Sequence, residues 1–196
     1  MTKGRLEAFT DGVLAIIITI MVLELKVPHG GTFKDLSALL PVFGSYVLSF
    51  VYVSIYWNNH HHMLQTVKHV SGSILWANMH LLFWLSLIPF VTGWMGENHF
   101  TEATVFLYGL VLLAAAIAYF ILQNLIIKSH GKASVLARAL GKDLKGKASP
   151  LLYLIGIVGA FFSVWVSGIM FVLVAIMWLI PDSRIEKALK EEMAKS

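Results

Sequence analysis

Long apolar runs separated by short polar stretches set the pattern of the chain. The first run, Phe9 to Val27, ends at Pro28-His29-Gly30-Gly31, a helix stop. A short amphipathic piece around Phe33 to Leu40 leads into the second run, Leu39 to Trp57, which closes on Asn58-Asn59-His60-His61-His62. The third run, Ile74 to Trp94, ends at Gly96-Glu97-Asn98-His99, and the fourth, Thr104 to Ile127, carries Gln123 and Asn124 near its end. A basic linker with three glycines follows. The last stretch, Pro150 to Ile180, is uncharged over 31 residues. One crossing of the hydrocarbon needs only about 20 residues, so this stretch predicts two short spans turning between Ser163 and Gly168. The pattern therefore predicts six spans, at about 5–27, 39–57, 74–94, 104–127, 150–164 and 167–181. A cytosolic linker at 128–149 and a cytosolic tail at 182–196 complete a single domain over 1–196. In the tail, charges alternate and Ile185 and Leu189 stand one helical turn apart, the pattern of a short amphipathic helix.

Composition agrees with lipid as the solvent. Side chains are 58% hydrophobic and 13% charged, whereas a soluble domain is about half apolar and about a quarter charged. Six spans of about 20 residues leave this sequence no room for a separate soluble catalytic domain. The fold class is thus an all-α integral membrane protein. The net charge of +4 reflects cytoplasmic loops rather than nucleic-acid binding. Absence of cysteine excludes disulfides, thiolate metal sites and thiol nucleophiles. Lys3 and Arg5 before an apolar run resemble a signal peptide, but Glu7 and Asp11 interrupt it and no small-residue cleavage site follows, so the run is expected to be an uncleaved first span.

Orientation follows from the cations. With six spans and the N-terminus inside, 13 of the 15 Lys and Arg fall on the inner side, and only Lys26 and Lys34 fall outside. That satisfies the positive-inside rule, and a five-span alternative, which exports the tail cations, fits it less well. Trp57, Trp76, Trp94, Trp165 and Trp178 stand near span ends, where amphipathic rings favour the interface. The expected topology is N-in and C-in.

The first span carries the chemistry. Twelve uncharged residues, Gly12 to Leu23, separate Asp11 from Glu24, so a normal span takes a carboxylate at or inside the membrane. A charge at the bilayer centre costs at least about 2.5 kcal/mol and faces a bundle interior or water. At 100° per residue, Arg5, Phe9, Gly12, Ile16, Thr19, Ile20, Leu23 and Val27 share one face, while Glu7, Asp11, Ala15, Ile18 and Val22 fall on roughly the opposite one. Arg5 and Asp11 cannot readily pair within one straight helix, so each needs a partner elsewhere. For Asp11 the inner-leaflet candidates are Trp57, His60, His61 and Asn78.

Arg5-x-x-x-Phe9-Thr10-Asp11-Gly12-Val13 resembles the Arg-x-x-x-Phe-Ser-Asp signature of transmembrane protein 175, the endolysosomal potassium channel family, and its prokaryotic relatives. Six spans, Trp57-Asn-Asn-His60-His61 and Leu-Ile-Pro89-Phe90 are similar as well. Thr10 departs from the usual serine but keeps the hydroxyl. The resemblance implies a potassium-permeable cation channel built as a homotetramer, with the first span of each subunit lining a central pore. By position after the motif it implies that Ile16, Ile20 and Leu23 form apolar constrictions and that Thr19 contributes to selectivity. Arg5, Phe9, Thr10 and Asp11 are then the motif, with Trp57, His60, His61 and Asn78 as its polar network. The resemblance also implies the plasma membrane of a prokaryote.

No Thr-Val-Gly-Tyr-Gly filter loop occurs here, so no ladder of backbone carbonyls replaces the hydration shell. Apolar rings gate by excluding water, and selectivity for potassium over sodium is expected to be modest. Consecutive histidines on a helix point about 100° apart, so His60-His61-His62 cannot converge on one metal. No cofactor is expected, only potassium as permeant ion, and the partners are lipid, monovalent cations and further copies. The competing reading is a proton- or cation-coupled secondary transporter using Asp11 and membrane-edge histidines. No intramembrane catalytic constellation of the Glu-x-x-His, Gly-x-Ser-x-Gly or Asp-x-x-Asp kind supports an enzyme.

Overall fold

The protein is described by a computed structural model covering residues 2–131, 133–141, 143–179 and 188. Apart from Ala188, the tail at 182–196 lies outside the described residues, as does the end of the sixth expected span at 180–181. Every described regular element is helical.

Helix α1 spans Lys3–Leu23 and stops short of the expected Val27. Pro28 lacks an N–H to bond the Glu24 carbonyl four residues back and its ring would crowd that carbonyl, so the helix does not continue to Val27. Thr32 then opens α2, Phe33–Ser37, through a reciprocal capping box with Asp35. The Thr32 hydroxyl donating to Asp35 holds that carboxyl below its ordinary pKa.

Helix α3, Leu40–Gln65, runs eight residues past the expected end at Trp57. The polar cluster continues the helix because its side chains find partners. Asn59 Nδ2 donates to the Ile55 carbonyl at 2.9 Å, and the Tyr119 hydroxyl donates to the Asn59 carbonyl at 3.2 Å. The third run is two helices, α4 at Gly72–Ser86 and α5 at Ile88–Glu97, joined at Leu87. Pro89 lacks an N–H and crowds the carbonyl four residues back, which breaks the ladder there. Helix α6, Glu102–His130, ends at Gly131, whose φ of +87° suits glycine.

The expected linker is largely folded. It holds α7, Val135–Leu140, and the first residues of α8, Leu144–Gly159. Asp143 Oδ1 accepts from Gly146 N at 3.1 Å and caps α8 six residues before Pro150. The final helix, α9, is Val164–Leu179. The turn between α8 and α9 therefore covers 160–163, earlier than expected, and Gly168 lies inside α9. Small residues serve close packing instead of turning: Ser167 Oγ donates to the Gly156 carbonyl at 2.6 Å. Trp178 Nε1 donates to Ser149 Oγ at 2.7 Å, so the two helices run antiparallel.

Among the described residues, four stretches are long and apolar enough to cross a membrane: Lys3–Leu23, Leu40–Gln65, Gly72–Glu97 and Glu102–His130. Helices α8 and α9 have 16 residues each, about 24 Å at 1.5 Å per residue, and pack together as a hairpin on α6. Helices α3 to α6 and this hairpin enclose the core around Tyr52, Tyr108 and Phe171. Hydroxyls bind it together: Thr92 Oγ1 donates to Ser49 Oγ at 2.6 Å, Ser49 Oγ and the Tyr108 hydroxyl share a bond of 3.0 Å, and Tyr52 donates to the Phe171 carbonyl at 2.7 Å.

Helix α1 lies against α3, α4 and α5 at the edge of this bundle. Only 28% of its central stretch is buried, against 50% for Gly72–Glu97. The site is built on this helix.

Candidate functional site

A narrow stripe holds α1 to the bundle. Leu6, Thr10, Leu14, Ile17 and Met21, three or four residues apart, are its buried positions. Everything else on the helix is at least partly exposed on the single chain, including Arg5, Phe9, Asp11, Gly12 and Thr19.

Thr10 lies at the centre of the polar anchor. Its Oγ1 accepts from Asn78 Nδ2 at 2.9 Å, and Asn78 Oδ1 bonds His60 Nε2 at 2.7 Å. An amide oxygen only accepts, so His60 Nε2 carries the proton. The chain His60 to Asn78 to Thr10 links α3, α4 and α1, and all three side chains are buried. Burial makes each partner obligatory, because an orphaned polar group there costs about 1–3 kcal/mol.

Asp11 takes a different partner. Trp57 Nε1 donates to Asp11 Oδ1 at 2.9 Å, and His61 stacks beside the Trp57 ring with centroids 6.1 Å apart. Among the four residues expected to meet Asp11, the structure bonds it to Trp57. His60 and Asn78 serve Thr10 instead, and His61 Nε2 accepts from Gln65 Nε2 at 2.9 Å. The reason is helical phase: Thr10 and Asp11 lie about 100° apart, so one faces α4 while the other faces the rim of α3. Arg5 makes no hydrogen bond or ion pair among the described residues.

Two contacts were not expected from sequence. Lys3 Nζ donates to the Gln65 carbonyl at 3.2 Å, which fastens the start of α1 to the end of α3. On the same side, His130 at the end of α6 straps the loop between α3 and α4. Its Nε2 accepts from the Lys68 amide at 3.0 Å, its Nδ1 bonds the Ile126 carbonyl at 3.0 Å, and its ring stacks on His69 with centroids 4.4 Å apart. Nothing in residue spacing announces such a strap, because a lone histidine at a helix end has no signature.

Beyond the anchor, Ile16, Ile20 and Leu23 are 59%, 42% and 75% exposed, with Thr19 exposed among them. Thr19 Oγ1 donates back to the Ala15 carbonyl at 2.8 Å. Its proton is thereby used within the helix, and the lone pairs of the oxygen stay available outward. This arrangement can present acceptor oxygens, not a nucleophile or an acid–base pair. Among the described residues, no group of three His, Cys, Asp or Glu side chains is placed to hold a metal.

Known proteins resemble the chain in sequence and in shape. The family model described as endosomal/lysosomal potassium channel TMEM175 matches residues 5–89, which include the Arg5 to Asp11 motif and the α3 and α4 anchors. A potassium channel of Chryseobacterium sp. (strain P1-3) is 58% identical over 191 residues, 97% of this chain and 100% of that protein. A potassium channel of Chamaesiphon minutus is 32% identical over 187 residues, covering 87% of this chain and 90% of its own length. The crystal structure of a lysosomal potassium-selective channel TMEM175 homolog from Chamaesiphon minutus superposes with a TM-score of 0.80. It has 29% identity and covers 92% of this chain and 97% of its own. With a bacterial potassium channel matched from end to end, the chain belongs to the TMEM175 family of multi-pass membrane proteins, which are ion channels and not enzymes.

Proposed function

We propose that four copies of this chain form a potassium-permeable pore lined by α1, with Ile16, Ile20 and Leu23 as apolar constrictions and Thr19 as a hydroxyl ring. In this reading the α8–α9 hairpin supplies the fifth and sixth crossings, both termini face the cytosol, and the channel works in a prokaryotic plasma membrane.

One observation carries the reading. Helix α1 exposes Arg5, Asp11, Gly12 and Thr19 on the single chain together with Ile16, Ile20 and Leu23. A helix turned wholly to lipid would expose its apolar side chains alone, since intramembrane charges face a bundle interior or water. Further copies around a shared axis give these groups protein and water as neighbours. The relatives named as potassium channels add support for the ion.

The mechanism is dehydration at a narrow neck. Apolar rings exclude water, and outward Thr19 oxygens partly replace the shell an ion sheds. Potassium holds its water less tightly than sodium and sheds it at lower cost, so selectivity is modest. The test is recording from purified protein in planar bilayers under a potassium/sodium gradient. Replacing Ile16, Ile20 or Leu23 by Asn should raise unitary conductance or move the reversal potential toward zero. Unchanged currents in all three variants would remove the pore assignment.

A further inference from the structure

Around the C-terminal end of α1, two carboxylates, Glu24 and Glu97, face one ammonium, Lys26. Glu24 caps the helix directly after Leu23, with its amide bonded to the Ile20 carbonyl. Its carboxylate is exposed and makes no hydrogen bond or ion pair among the described residues. Helix α1 also lacks a basic residue in its last turn, so the negative end of its dipole is uncompensated. Lys26, the nearest cation in sequence, hydrogen-bonds Glu97, while the charge of Glu24 acts on it more weakly. It pairs with Glu97 at the end of α5, and this bond raises the ammonium above its ordinary pKa. One ammonium thus answers two carboxylates, and this end of α1 keeps a net negative charge. Between α1 and α5 at this end lies a groove of about 400 Å³, lined in part by Ile20, Glu24, Trp94 and Glu97. One water needs about 10–15 Å³ of such space, so hydrated ions can approach the carboxylates.

We propose that Glu24 concentrates cations at this mouth of the pore. The inference rests on the α1-lined tetramer proposed above. Four Glu24 carboxylates and four helix ends of the same sign surround one axis, which makes the mouth strongly negative and draws in potassium while its water shell is intact. This role differs from that of the constrictions, which act on dehydration. It also differs from a fixed site, because the potential acts over distance. Lys26 offsets one of the two carboxylates in each subunit, chiefly Glu97, and so sets the size of the charge that remains.

Ionic strength separates this effect from any other contribution of the residue. The screening length is about 30 Å at 0.01 M salt and about 3 Å at 1 M, so a surface potential counts only in the dilute case. The chain has no cysteine, so Glu24→Cys introduces a single reactive thiol. Unitary conductance is recorded in planar bilayers at both salt levels for the native chain, Glu24→Gln, Glu24→Cys, Lys26→Gln and Ile16→Asn. Glu24→Gln and unmodified Glu24→Cys should lower conductance about two- to fourfold in dilute potassium and leave it unchanged near 1 M. A sulfonate-bearing methanethiosulfonate should restore the Glu24→Cys current, and a trimethylammonium-bearing one should depress it further. Lys26→Gln, which frees Glu97, should raise the dilute-salt current, so the inference has a test even if the Glu24 variants fail to assemble. Equal dilute-salt conductance in the native chain and its Glu24 and Lys26 variants, with Ile16→Asn still altering the current, would overturn the role of Glu24 and leave the pore standing. No change in any variant would overturn both.

Discussion

Thr10 and Asp11 are adjacent in sequence and do unlike work. Thr10 is buried and hydrogen-bonded to Asn78, whereas Asp11 is exposed and held by Trp57. Thr10→Ser should therefore be near neutral, since it keeps the acceptor oxygen. Thr10→Val leaves the buried Asn78 amide without its partner and should cost about 1–3 kcal/mol. Thermal unfolding in detergent compares the two, and equal losses would mean that the methyl group, not the hydroxyl, is what α1 needs. Thr19 is tested on current instead. Thr19→Ser should preserve the potassium/sodium permeability ratio and Thr19→Val should lower it, read as a shift in reversal potential. An unshifted potential in Thr19→Val would take selectivity away from that hydroxyl.

Elements meet where small residues or side-chain straps allow it. A Cβ on Gly109 of α6 would lie 2.6 Å from Phe171 Cζ and 2.8 Å from Ile157 Cγ1. Gly109→Ala should thus destabilise the contact of α6 with the α8–α9 hairpin by about 1–3 kcal/mol. Adding Phe171→Leu should recover part of that loss, a coupling that unfolding of the double variant measures. On the inner side of the proposed topology, His130→Ala removes the acceptor for the Lys68 amide. Hydrogen exchange should then speed up at residues 68 and 69 while the centre of α6 stays protected. Exchange unchanged at the loop would show that helix packing alone holds it. Existence of these helices was legible in the run lengths, but their ends were not. Helix α3 outran its apolar run because Asn59 found partners, and α8 began early because Asp143 capped it.

At the scale of the molecule, the exposed side of α1 asks for company. Chemical crosslinking of the reconstituted protein should give a ladder ending at four copies; a ladder ending at two would contradict the single shared pore. The side-chain polar contacts of the α1 segment with the bundle fall near its two ends. Lys3, the Thr10 network and the Asp11–Trp57 bond anchor one end, while Lys26 and Glu97 pair near the other. The helix is thus fixed to its own subunit along one narrow stripe, and most of its surface is open on the single chain, where the proposed tetramer would use it.

The sequence by itself determined that the chain is helical, lipid-embedded and centred on an acidic motif in its first span. Those properties follow from run length, charge density and a 3.6-residue period, all of which are local. Only the tertiary structure decided which side chains meet. A hydrogen bond needs its donor within about 3 Å of its acceptor, and neighbouring residues on a helix point about 100° apart. Candidates of equal chemical merit, such as Trp57 and His61 for Asp11, are therefore separated by helix rotation and axial shift alone. The same geometry turned Lys26 to Glu97 and left Glu24 open, a division of charge that spacing along the chain cannot state.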